Sequence, residues 1–371
     1  MAASLGISSL GAGIPAKAGI QPSSNCFRRS LKGLPSRWIP AFGNDFGREP
    51  EISPNDASAL QFSVDTTCSD SIIADELAEA DDGARATTAS VPNSPVPPVI
   101  LTIAGFDPSS GAGITADLKT FAAHNCYGVA AVTALTVQNT QGVRRLYPVD
   151  SSVLRESLEA LMSDGQVRAV KIGLLANRSN AQVANEFLEA HPTLPSVLDP
   201  VLRSSSGMEL VDGAGFDFVR EHLLKSASLL TPNLMEAAAL TGLKVEGLED
   251  MKTAARRLME MGARAVVVTG GHLDKAIDAY LDSEGLETFV GERLKPDNTH
   301  GTGCTFSSAV AANLALGRQL RDSVMLAKAY VAESIKKAYP IGPGRVPLNH
   351  LYRMHESPRA TNHAAHSEVS A

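Results

Sequence analysis

The chain reads as an α/β protein whose mostly parallel central sheet is flanked by helices, and three observations predict it. From Val99 onward, short runs of apolar and β-branched residues alternate with helical patterns, as in parallel strands whose crossovers cover both faces of a sheet. Two glycine-rich segments, Gly105 to Gly113 and Asn298 to Cys304, each run into a helical stretch. A polar residue or a glycine also follows each apolar run, at the strand end where doubly wound sheets bind ligands.

The elements follow in order. Val99 to Ala104 opens the sheet and leads to Asp107, and Val129 to Val137 leads to Gln138 and Asn139. Val167 to Ile172 ends at Gly173, Val197-Leu198 at Asp199, Leu229 to Thr231 at Asn233, and Ala265 to Thr269 at Gly270-Gly271. Between them lie helical patterns at Ala116 to His124, Val153 to Ser163, Ala181 to His191, Leu234 to Thr241 and Met251 to Met261. A small antiparallel edge hairpin is expected from Ala279–Leu281 and Leu286–Val290 around the turn Asp282 to Gly285. Two closing helices, Thr305 to Leu316 and Asp322 to Tyr339, complete a domain placed at residues 98–355.

The flanks read differently. Up to Asn44 there are five basic residues and no acidic one, and from Glu51 to Pro95 nine acidic residues face a single Arg85. Residues 1–97 are therefore expected to be a disordered leader or to follow from a start assigned too far upstream, with an organelle transit peptide as the alternative. The tail, 356–371, is polar and expected to be disordered. A net charge of -7 gives no general attraction to nucleic acid or to anionic lipid, and no apolar run is long enough for a membrane span. Cys26, Cys68, Cys126 and Cys304 are too dispersed for a zinc pattern or a secreted disulfide framework, so a reducing, cytoplasmic setting fits best.

Several motifs carry chemistry. Gly301 and Gly303 let backbone N–H groups converge at a helix start, which makes an anion cradle with Cys304 beside it. Gly111-Ala112-Gly113-Ile114-Thr115-Ala116 matches a dinucleotide fingerprint by spelling alone, because the ribose-binding acid is missing between Lys119 and Val149. No Walker A string occurs. Asn233 and Glu236 make a capping box, yet a carboxylate at that rim, with Asp199, could also hold Mg²⁺ through water. Asp117 is either a helix-start charge or an acceptor for a substrate amine. His272 and His300 read as hydrogen-bonding loop residues.

Taken together, Thr102 to Thr120, Ala134 to Thr140, Lys171-Ile172-Gly173, Leu198 to Val201, Thr231-Pro232-Asn233 with Glu236, Gly270-Gly271-His272 and Thr299 to Cys304 resemble the hydroxymethylpyrimidine and phosphomethylpyrimidine kinases of thiamine biosynthesis, within the ribokinase-like superfamily. The resemblance runs from about Pro98 to Leu351 in collinear order. It implies a three-layer ribokinase-like fold, ATP as co-substrate, Mg²⁺, and a homodimer. It further implies that an aminopyrimidine lies against Gly105, Ala112, Asp117, Gln138, Leu174 and Val201. Asn233, Gly271, Asn298 and Thr299 would meet the nucleotide, Asp199 and Glu236 would organise Mg²⁺, and Gly301, Thr302, Gly303 and Cys304 would form the catalytic anion hole.

Cys304 stands where sugar kinases of the superfamily carry an aspartate base, and a helix start that favours its thiolate would let it take the hydroxymethyl proton. Thr269 and the loop Arg203-Ser204-Ser205-Ser206-Gly207 depart from the usual lysine-bearing pattern, and Arg203 is expected to replace part of that charge. Pyridoxal phosphorylation on the same scaffold is the alternative activity. A non-catalytic pyrimidine-binding regulator is the alternative of another class.

Overall fold

The computed structural model describes residues 96–271, 275–294 and 299–355. The leader up to residue 95, the tail from 356, His272 and Asn298 therefore lie outside the described residues.

A run such as Val-Ile-Leu-Thr-Ile-Ala-Gly-Phe is apolar on both faces of a strand, so it demands cover on both sides. It forms β1 (Val99–Phe106), near the middle of a nine-stranded sheet. The strand order is β3-β2-β1-β4-β5-β6-β7-β8-β9, with β2 at Tyr127–Asn139, β3 at Gly142–Pro148, β4 at Val167–Ile172, β5 at Ser196–Leu198, β6 at Leu229–Leu230, β7 at Val266–Gly270, β8 at Ala276–Leu281 and β9 at Leu286–Gly291. Strands β2, β1, β4, β5, β6 and β7 run parallel. Antiparallel strands close both edges, β3 at one end and β8–β9 at the other.

Two cores sandwich this sheet. Leu101, Ile103, Val170 and Ile172 face the helices α2 (Ser151–Ser163), α3 (Arg178–Ala190), α4 (Leu234–Thr241) and α5 (Leu248–Glu260). Ile100, Ala169, Val197 and Val267 face α1 (Gly113–Ala123), α6 (Thr302–Ala315) and α7 (Leu320–Lys336). Helix α6 is buried on nearly all sides and built from small residues, Ser307-Ser308-Ala309 and Ala311-Ala312, which let it lie close under the sheet beside α1. Both α1 and α6 therefore point their N-termini at the carboxyl edge of the strands.

The parallel core and the 276–291 hairpin agree with the sequence reading, and three differences have physical causes. The edge strand β3 was not anticipated, because its Arg144-Arg145 pair and short length hide the period; Gly142, at φ +149°, makes the reversal that returns β3 along β2. Helical segments Gly213–Phe218, Val219–Leu223 and Leu224–Ser226 were also missed, since two glycines open them; Asp212 supplies the cap, accepting from the Gly215 N–H at 2.6 Å. Helices α1 and α6 begin three residues earlier than the periodicity suggested, so parts of the glycine-rich segments are themselves the first helical turns.

Candidate active site

The two glycine-rich segments meet. Gly301, the N-cap of α6, is left-handed at φ +84°, and a Cβ there would overlap the Gly111 carbonyl oxygen. Gly113 opens α1 at φ +55°, and a side chain there would strike the Gly105 carbonyl. Only glycine permits this contact, because both the dihedral and the space exclude a side chain. The first loop is organised by Asp107, whose carboxylate accepts from the N–H and O–H of Ser109 (2.8 and 2.7 Å), the N–H of Gly111 (3.1 Å), the N–H of Ala112 (2.9 Å) and Nε2 of His300 (3.0 Å). Burial alone would raise the pKa of Asp107; the His300 and Ser109 hydrogen bonds and the nearby His300 charge outweigh it and bring the value down to about 2.

Cys304 sits in the first turn of α6, half-buried, in the neighbourhood of the Gly113 N–H and of Asp199. The helix start does not make it a thiolate. Burial pushes the thiol up to about 12, and the proximity of Asp199 and Asp117 adds to this, against the opposing pull of Lys171. The thiolate base expected from helix position alone is thus not the resting state, since removal from water outweighs the helix end.

Asp199 follows β5 and is 4 % exposed. Its carboxylate lies under Gly303 and accepts from Ser307 Oγ at 3.3 Å. Its pKa is raised, by burial first and by Asp117, while Lys171, Ser307 and Cys304 act the other way. Glu236 completes the capping box, with Asn233 N–H donating to Glu236 Oε2 at 2.9 Å and Glu236 N–H donating to Asn233 Oδ1 at 3.0 Å. Burial, reinforced by repulsion from Asp199, pushes the Glu236 carboxyl up to about 8 despite N–H groups from Asn233 and Leu202. Two carboxyl groups that repel one another across the strand ends are the ligand type a hard, oxygen-loving cation takes.

Asp117 is placed otherwise than expected. It is wholly buried in α1, beneath the rim, and each oxygen takes two donors. Oδ1 accepts from Lys171 Nζ (3.1 Å) and Ser308 Oγ (2.7 Å), and Oδ2 from Lys171 Nζ (3.0 Å) and Thr102 Oγ1 (2.6 Å). Both oxygens are thus engaged by buried groups of the protein, away from any solvent-facing position where a substrate amine would arrive. The residues tie β1, α1, β4 and α6 together directly below the two loops. The role of Lys171, named only as part of a motif, and Ser308 altogether were missed by sequence reasoning, although a lysine inside the run Ala-Val-Lys-Ile, one residue before the strand end, was a signal that it needed a buried anion.

Leu174 packs against Gly105, and its carbonyl is held by the Thr133 hydroxyl. Val201 joins Leu174, Ala134 and Leu210 in one apolar cluster. Ala112 lies in the Asp107-bound loop, and Gln138, near the end of β2, reaches to 3.3 Å from His300. Thr299 Oγ1 is 3.1 Å from Thr302 Oγ1, Asn233 caps α4, and Gly271 is exposed beyond β7. Arg203 does not replace a site lysine, because its guanidinium turns onto Glu209 at 3.0 Å on the surface. The cation near Thr269 is instead Lys328, paired at 2.7 Å with Asp278, the cross-strand neighbour of Thr269.

A family model described as phosphomethylpyrimidine kinase matches residues 107–349, which hold every site element described above except Gly105 and Thr102. The chain belongs to this family. The hydroxymethylpyrimidine/phosphomethylpyrimidine kinase of Aquifex aeolicus is 41% identical over 248 residues, covering 66% of this chain and 97% of the relative. A crystal structure of phosphomethylpyrimidine kinase from Clostridium difficile is similar at a TM-score of 0.58 and 36% identity, over 64% of this chain and 99% of that one. Pyridoxal kinase from Staphylococcus aureus, solved with AMP-PCP and pyridoxal, is similar at a TM-score of 0.64 and 34% identity, over 70% of this chain and 96% of that one. Family, kinase class and ribokinase-like architecture agree with the expectation drawn from the motifs.

Proposed function

We propose that the protein transfers the γ-phosphoryl group of ATP to 4-amino-5-hydroxymethyl-2-methylpyrimidine and then to the resulting monophosphate, giving the diphosphate used in thiamine biosynthesis. The observation that carries this reading is the meeting of the two glycine loops, which brings the α6 N-terminus and Cys304 against Gly113, beside Asp199 and Glu236. Phosphoryl transfer asks the protein chiefly for positioning and for charge stabilisation. The N–H groups of Thr302 to Cys304 supply fixed donors for the transferred group, and the dipole of α6 favours its negative charge. Asn233, Gly271, Asn298 and Thr299 are the proposed nucleotide contacts.

Asp199 and Glu236 are the residues that would hold Mg²⁺, which when bound neutralises phosphate charge. Cys304 lies next to the reacting hydroxymethyl in this reading. Because its thiol is protonated at rest, it acts first as a hydrogen-bond donor, and its part in moving the hydroxyl proton depends on the charges that arrive with the substrates. Gly105, Ala112, Gln138, Leu174 and Val201 form the proposed pyrimidine wall. Asp117 supports that wall from below.

A homodimer is proposed on the outer face of the β2–β3 edge, where Leu135, Val137 and Tyr147 are all exposed on one side. The cysteine usage supports a reducing, cytoplasmic setting. Pyridoxal phosphorylation is the second reading, favoured by the likeness to the pyridoxal-bound kinase. Parallel assays with the aminopyrimidine, its monophosphate and pyridoxal, with ³¹P NMR of the products, test both. Turnover of the first two at higher kcat/KM than pyridoxal is expected, and turnover of pyridoxal alone would overturn the proposal.

A further inference from the structure

We infer that Asp107 and His300 fix the orientation of the Gln138 side-chain amide, so that the site offers an N–H donor, not a carbonyl acceptor, to the substrate ring. The inference rests on the reading of Gln138 as a ring contact. It makes His300 a specificity-setting positioning residue that acts through Gln138.

Four groups other than His300 already address the Asp107 carboxylate, namely Ser109 N–H and O–H and the N–H groups of Gly111 and Ala112, and all four are donors. Asp107 is therefore an ionised, acceptor-only group, in keeping with its lowered pKa. His300 Nε2, 3.0 Å from Asp107 Oδ2, must carry a proton to approach it. In the neutral imidazole Nδ1 is then the acceptor, in the imidazolium both nitrogens donate, and Nε2 carries its hydrogen in either form. Ser205 Oγ lies 3.3 Å from Nδ1 and supplies the O–H that the neutral tautomer needs.

The same protonated Nε2 lies 3.3 Å from Gln138 Nε2, a placement that sets two N–H groups against each other. A nitrogen that carries hydrogen and donates to Asp107 cannot accept from an NH₂ group. The amide end facing it is therefore the carbonyl oxygen, which shares the hydrogen, and a half-turn of the planar amide exchanges the two ends without changing its shape. The NH₂ group is left for the site. His300 cannot swing away to relax this choice, since its ring packs against Gly111 and it directly precedes Gly301. The site accordingly selects rings that present an acceptor nitrogen to Gln138 over rings that present N–H or C–H there.

Two measurements on the full chain test this. Long-range ¹H–¹⁵N NMR at pH 8, with the His300 signals identified by their loss in His300→Asn, is expected to show the Nε2–H tautomer, and an Nδ1–H tautomer would overturn the inference whatever the substrate proves to be. Affinities are then compared for the aminopyrimidine and for two analogues, each with one ring nitrogen replaced by C–H. The parent protein is expected to disfavour one analogue by about tenfold, and Gln138→Glu to abolish that preference. Asp107→Asn frees His300 to change tautomer, so the ratio should fall to within about twofold while KM rises more than kcat falls. A residue that only closed the loop would lower Tm and kcat and leave the ratio alone, and an unchanged ratio in Asp107→Asn would overturn the lock. Failure of the parent to phosphorylate the aminopyrimidine would count against the functional reading instead, with the tautomer still deciding the polarity.

Discussion

Replacing Asp117 by alanine separates a structural clamp from a substrate contact. The carboxylate and Lys171 are both fully buried, with Nζ 3.0 Å from Oδ2, and Thr102 and Ser308 donate to the remaining positions. Removing it strands an ammonium group and two hydroxyls. Breaking a buried pair from one side costs about 3–5 kcal/mol, and each stranded hydroxyl adds about 1 kcal/mol, which is a large share of the ~5–15 kcal/mol that holds a domain together. Equilibrium urea unfolding should therefore show a loss of at least about 3 kcal/mol.

The pH dependence of that loss is also fixed. In the parent the charge of Asp117 keeps the Lys171 pKa raised against the effect of burial. In the variant burial is opposed only by the weaker pull of Asp199 and Cys304, and the folded-state pKa is expected to drop below the unfolded value of ~10.4. Between the two values the unfolded chain holds more protons, so the variant gains stability as pH rises towards ~10.4. Asp117→Leu with Lys171→Met should return to within about 2 kcal/mol of the parent, because paired apolar replacements of a buried ion pair are often neutral. The reasoning is refuted if Asp117→Ala unfolds within about 1 kcal/mol of the parent while calorimetry shows aminopyrimidine affinity reduced tenfold or more.

Three further outcomes are expected. Gly301→Ala should cost about 1–2 kcal/mol for the left-handed backbone alone and, by pushing on the Gly111 carbonyl, should cut turnover by more than tenfold; near-normal kcat would mean that the loops do not need this contact. Alkylation of Cys304 by iodoacetamide, followed on its peptide by mass spectrometry, should have a midpoint shifted from the free-thiol ~8.5 towards about 12. Cys304→Ser, which keeps a donor, should retain more turnover than Cys304→Ala, and equal losses would argue against the donor role. Glu236 holds its proton to about pH 8 in the folded state, whereas the unfolded chain sheds it near ~4.3, so stability should fall as pH rises across that window and Glu236→Gln should flatten the slope. Added Mg²⁺ should then raise Tm more at pH 8.5 than at pH 6, and equal shifts would exclude this carboxylate pair as the cation site.

The sequence by itself determined the parallel core, the rim residues and the family, because these follow from local signals. Periodicity placed β4 and α4 at their observed bounds, and glycines next to a helical pattern marked both loops. The capping box at Asn233 and Glu236 was legible for the same reason, since its partners are three residues apart. Everything that depended on distant partners was decided by the tertiary structure. Asp117 at the start of a helix could have been a surface charge or a substrate contact, and only the crossing of β4 beneath α1 made it the partner of a lysine 54 residues away. Cys304 shows the same limit from the electrostatic side. Its helix position argued for a thiolate, but the cost of removing charge from water depends on what encloses the sulfur, and the groups that enclose it, Gly113 and Asp199, come from other strands and loops.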